Sequence, residues 1–156
     1  METMQIGILE FFHVLGALFF LGGGTLIAYF KFRADHSEDL VVLAWYHREL
    51  VRADWIFTLP SGVILIATGI ALANSYGLPL DQGWILSALV AFSIATLSWI
   101  PAVFLQIRMR NTIQLCLEQN LSIPASYHQD RRRWMLLGLP AFSAALYALW
   151  LMTAGH

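Results

Sequence analysis

Charge is what this sequence has least of. Of its 156 residues only 12% are Asp, Glu, Lys or Arg, while 58% are hydrophobic and the mean hydropathy is +0.64. Soluble domains carry about a quarter charged residues, so an ordinary water-soluble fold is excluded. The scarcity is organised. Four runs, Phe11–Phe30, Trp55–Leu80, Gln82–Ile107 and Trp134–His156, contain no Asp, Glu, Lys or Arg at all. Each is long enough to cross a hydrocarbon core of about 30 Å as a helix, and together they leave no length for a separate soluble catalytic domain. The expected fold is therefore all-α, a single four-helix transmembrane bundle over residues 1–156 with spans near 5–32, 52–74, 83–107 and 134–153.

Cysteine is nearly absent too. Cys116 stands alone, which excludes an intrachain disulfide and a thiolate metal cluster. Basic residues are missing from both termini and from the turn near Asn74–Gly83. All nine fall between the first and second runs (Lys31, Arg33, Arg48, Arg52) or between the third and fourth (Arg108, Arg110, Arg131, Arg132, Arg133). The positive-inside rule makes residues 31–53 and 108–133 cytoplasmic and turns both termini outward, as expected of a multi-pass protein of a bacterial inner membrane. A juxtamembrane basic cluster such as Arg131–Arg133 has a lipid-headgroup role, and no nucleic-acid partner is expected. No basic residue precedes the first run and Ala28-Tyr29-Phe30-Lys31 is not a small-residue cleavage site, so the run is expected to stay in the protein.

The remaining polar residues set the local expectations. Ser37-Glu38-Asp39 suits a helix start with acids in its first turn, and Glu38 to about Asn74 reads as one helix that begins in the cytoplasm. His47, beside Arg48 and Glu49, is expected to be a solvated surface histidine. Asp54, Thr58, Ser61, Leu65 and Thr68 recur at helical spacing; Pro60 should open the hydrogen-bond ladder nearby, and Asp54 should pair with Arg52 or a loop arginine. In the third span Ser87, Ala91, Ile94 and Ser98 share a face, and Arg108–Asn120 extends that helix. Ala141, Ala144, Ala145 and Ala148 suit close packing in the fourth. His156 reads as a terminal residue without a partner.

The first run carries one imidazole, His13, three residues after Glu10. Glu10, His13, Gly16, Phe20 and Gly23 or Gly24 share a helical stripe, which should face the bundle interior because an ionisable group facing lipid is costly. Gly22, Gly23 and Gly24 should admit a neighbouring backbone or a flat ligand. Three readings of His13 stand open: a neutral imidazole bonded to Tyr147 or Thr68, a haem-iron ligand, or a proton-relay or substrate site with Glu10. No second histidine lies at its depth, so an iron on His13 would not find a second histidine in the same chain.

The segments FFHVLGALFFLGGG and ADWIFTLPSGVILIATGIAL, with the Gly83-Trp84 pair opening the third span, resemble a group of bacterial four-helix integral membrane proteins of unknown function. More distantly the layout is similar to HemJ-type protoporphyrinogen oxidases and to the CopD-like copper-resistance membrane domain. In HemJ-type proteins a Phe-His pair followed by Gly corresponds to Phe12, His13 and Gly16, and a Thr-Pro-Gly element loosely to Thr58–Gly62. The histidine of that family is implicated in binding haem b. The resemblance thus implies a haem b-binding membrane protein, possible redox enzyme and homodimer, with His13 as axial iron ligand. Gly16, Phe20 and Thr68 would contact the cofactor, Glu10 and Tyr147 would pass protons or orient it, and a quinone or porphyrin would be its partner. Ala88 and Tyr29 replace basic residues of HemJ-type enzymes, and copper handling would need more His or Met near the outer face. A solute or proton transporter or accessory subunit without haem is the alternative expectation, and a HemJ-like protoporphyrinogen oxidase the third.

Overall fold

The computed structural model describes residues 2–37 and 39–154. Glu38 and His156, and with them the expectations placed on those two residues, lie outside the described residues. The charge-free runs are the cores of four long helices. The first comprises α1 (Glu2–Ala17), a π-helical turn Leu18–Gly22 and α2 (Gly23–Asp35). The second comprises α3 (Leu40–Ala53), a π-helical turn Asp54–Thr58 and α4 (Leu59–Ser75). The third is α5 (Gly83–Gln119), which runs through Pro101, and the fourth α6 (Ala125–Ala154), which runs through Pro140. At 30 to 37 residues each spanning helix exceeds the bilayer core, which takes about 20.

Local chemistry sets the ends. The Asp39 carboxylate caps α3 by accepting from the Val41 N–H at 2.7 Å. After α4, Gly77 takes the left-handed conformation at φ +65°, and the Leu78 N–H returns to the Ala73 carbonyl at 2.8 Å. Asn120 closes α5 at φ 51°. In the second helix Pro60 has no N–H to offer the Ile56 carbonyl, and just upstream the Leu59 N–H reaches five residues back to Asp54.

The two π turns meet across the first pair of helices, where Phe19 stacks on Phe57 at 5.9 Å. An extra residue in a turn of 3.6 rotates the downstream helix face by about 100°. The interior face of the second helix accordingly changes neighbour at its π turn: α3 packs on α5, whereas α4 packs on α1. Ala88, Ala91, Ala95 and Ala102 form the buried face of α5, which packs on α6. Of the residues that share a helical face with Ala91, Ser87 bonds back to the Gly83 carbonyl and Ile94 is exposed.

The tightest packing lies beyond the charge-free runs. Ala34, Leu43, Ala44, Tyr46, Leu50, Met109, Ile113 and Tyr127 make one buried cluster at the end of the bundle that carries the basic residues. Gly22, Gly23 and Gly24 do not approach a neighbour as expected; a Cβ there would meet nothing within 4 Å. Close approach falls instead to Gly16, whose added Cβ would stand 3.2 Å from Leu65 and 3.3 Å from the Ser61 carbonyl.

Candidate functional site

Five ionisable side chains from three helical segments converge at the basic end. Lys31 and Asp35 are four apart on α2 and so share a face, and they form an ion pair. His47 enters from α3, Tyr127 and Arg131 from α6. The Tyr127 hydroxyl donates its proton to Asp35 Oδ1 at 2.8 Å. It must therefore accept from its other neighbours, Lys31 Nζ at 2.9 Å and His47 Nε2 at 3.0 Å. That assignment puts the His47 proton on Nε2 and leaves Nδ1 as a bare acceptor, buried and without a partner. Arg131 Nε stands 2.8 Å from Asp35 Oδ2, so one carboxylate is shared by two cations and a phenol. Lys31 is 2% exposed and His47 0%. The expected solvated His47 is thus overturned: its face of α3 is the one that packs on the first and fourth helices.

Two turns along from His47 lies a second buried group. Asp54, 3% exposed, accepts from Trp99 Nε1 at 3.3 Å and leaves Oδ2 unpartnered. Thr58 and Gln106 stand beside the carboxylate, yet Thr58 Oγ1 and Gln106 Oε1 are also buried without hydrogen bonds. The arginine pairing expected of Asp54 does not form, because Arg52 points outward to Glu49 at 2.8 Å. Ser61, buried one turn on, donates to the Thr58 carbonyl. The second helix therefore carries buried polar groups at intervals from His47 to Ser61, and a further polar group at Thr68.

At the opposite end Thr68 meets His13. The Thr68 hydroxyl donates to the Ile64 carbonyl at 2.6 Å, so its oxygen accepts from His13 Nδ1–H at 2.9 Å and Nε2 carries the lone pair. Gly69 makes this possible, since a Cβ there would stand 3.2 Å from the ring. Glu10 does not join His13: it is exposed and accepts from the Tyr76 hydroxyl, a bond that holds the phenol above its ordinary pKa range. Tyr147, 48% exposed, stacks on Trp150. Gly16 is taken up by packing against α4, and Phe20 lies against Phe92 and Gly62. Of the residues singled out in the sequence, the structure brings His13 to Thr68, and sends Glu10 and Tyr147 elsewhere.

Sequence reasoning missed the Lys31–Asp35–His47–Tyr127–Arg131 cluster because its members are widely separated along the chain, at the ends of spans and in the connections between them. The available signal was spacing: Lys31 and Asp35 are one turn apart, and His47 precedes Asp54 by two turns. Among the described residues no group of three or more His, Cys, Asp or Glu is placed to hold a metal ion.

No curated protein and no solved structure matches the chain. The four charge-poor helices, of length and hydropathy sufficient to span a membrane, agree with a family model that matches residues 7–155, and the chain belongs to that family: the predicted integral membrane protein family DUF2269.

Proposed function

We propose that the protein moves protons within the membrane, along the polar interior face of its second helix. The observation that carries this reading is the series of buried polar groups His47, Asp54, Thr58 and Ser61, three of which keep a side-chain atom without a hydrogen bond. Buried polar groups are ordinarily satisfied, and ionisable groups inside membrane helices are costly to keep without a task. Ionisable groups bracket the polar series of the second helix, Asp54 at its start and His13 beside Thr68, with hydroxyls at Thr58, Ser61 and Thr68 between them. Each hydroxyl can accept one proton while releasing another. His47 and the Tyr127–Asp35–Lys31 network beyond Asp54 couple the run to the basic end. The test is proton uptake into vesicles containing the purified protein under an imposed potential, followed by an enclosed pH dye. Uptake above protein-free vesicles, abolished in Asp54→Asn, is the expected result; uptake equal to lipid alone rejects the reading.

A second reading has its own observation. With Nδ1 committed to Thr68, His13 offers Nε2, which makes no hydrogen bond among the described residues. A histidine oriented in this way through its other nitrogen is the usual form of a metal ligand. A haem b iron could be taken there, approached only from the side away from α4, because Gly16 and Gly69 leave no space against that helix. Bound haem would supply one-electron chemistry; Thr68 would fix the imidazole. Protein expressed with ample haem and lacking Soret absorbance, or a spectrum unchanged in His13→Ala, rejects this reading.

A further inference from the structure

At the basic end, on the outside of the α3–α5 packing, Arg48, Arg52 and Arg110 surround a groove of about 730 Å³. Its polar rim is completed by Gln114, and its wall toward the charge-free runs is Trp55 and Ile56. The guanidinium groups are incompletely neutralised. Arg48 and Arg52 share one carboxylate, Glu49, at 3.3 and 2.8 Å, while Arg110 spends its hydrogen bonds on the neutral Asn111 amide. Trp55 and Ile56 are 58% and 61% exposed although they begin a run that enters the apolar phase.

The two halves of the groove ask for different chemistry. Three arginines against one acid recognise an anion, and guanidinium is the side chain best fitted to two-pronged contact with phosphate. The exposed indole and isoleucine next to them ask for hydrocarbon, and a tryptophan at the boundary of a spanning run sits where headgroups meet acyl chains. A free anion satisfies only the first half; a zwitterionic lipid brings a choline or ethanolamine cation against the arginines. We propose that this groove binds an anionic phospholipid, with its phosphate among Arg48, Arg52 and Arg110 and its acyl chain along Trp55 and Ile56. The site is separate from the polar interior face of the second helix, so it stands whether or not that face carries protons.

The test uses detergent-purified protein and three probes: phosphatidylglycerol, phosphatidylcholine and inorganic phosphate. Retention of bound phosphatidylglycerol in native mass spectrometry, with a rise in the thermal unfolding midpoint, is expected for that lipid alone. Each juxtamembrane arginine contributes on the order of a five-fold change in binding, so Arg110→Gln should weaken phosphatidylglycerol binding about five-fold and Arg48→Gln with Arg110→Gln considerably more. Equal retention of phosphatidylcholine, an equal shift with inorganic phosphate, or unchanged binding in the arginine variants overturns the proposal. Should the variants fail to fold, quenching of native tryptophan by brominated phosphatidylglycerol gives an independent measure. The component lost in Trp55→Phe must exceed the one seen with brominated phosphatidylcholine, and equal components overturn the assignment.

Discussion

At the scale of single residues, the basic-end network turns on one phenol. Tyr127 hands its proton to Asp35 and takes contacts from Lys31 and His47, so deleting its oxygen leaves three neighbours short of a partner. Tyr127→Phe is expected to cost about 1–3 kcal/mol, the penalty of leaving buried polar groups unsatisfied. Asp35→Asn removes the carboxylate that Lys31 and Arg131 share, and breaking a buried pair this way costs about 3–5 kcal/mol. Chemical unfolding in detergent checks both, and the second variant must prove the weaker. Tyr147→Phe serves as the contrast: the Tyr147 side chain is half exposed and stacks through its ring, so stability should change by less than about 0.5 kcal/mol.

The helix is the scale at which the sequence was most readable, and the reason is physical. Four runs without charge can satisfy their backbone in a bilayer only as helices, so runs of that length settle both element type and number. Asp39 and Pro60 marked a helix start and a disturbed ladder for equally local reasons. What local pattern could not supply was the rotation introduced by the π turns. A periodic stripe read straight through Asp54–Thr58 places Asp54 and Thr68 toward one neighbour, whereas Asp54 meets Trp99 of α5 and Thr68 meets His13 of α1. Gly16, which precedes the first π turn, keeps its expected place on the interior stripe and makes the close contact, whereas the triplet Gly22–Gly24, at and beyond that turn, touches nothing within reach of a Cβ. The two sites should respond in opposite ways. Gly16→Leu forces a large side chain against Leu65 and the Ser61 carbonyl and is expected to destabilise by about 1–3 kcal/mol. Gly23→Ala removes a poor helix former from open space and should be neutral or stabilise by up to about 1 kcal/mol. Midpoints of thermal unfolding for the two variants, measured in one detergent, decide it.

Taken whole, the molecule packs most densely where its helices have outgrown the apolar phase. Burial of Leu43, Met109 and Ile113 is driven there by water, a force unavailable between helices surrounded by lipid tails. In the opposite half, α1 pairs with α4 and α5 with α6, and the pairs touch through side chains such as Phe20 and Phe92. Spin labels placed on α1 and α6 should accordingly report a broader distance distribution near residues 6 and 150 than labels on α2 and α6 near residues 33 and 129. Equal widths would contradict the packing described.

The position of that dense cluster also bears on how the chain assembles. Two helical hairpins gain little hydrophobic stabilisation by meeting within lipid; they gain it by closing the aqueous ends over Leu43, Met109 and Ile113, where Arg131 of the second hairpin also meets the Lys31–Asp35 pair of the first. Leu43 comes from the first hairpin and Met109 and Ile113 from the second, so this cluster joins the hairpins through one apolar core held at a single rim.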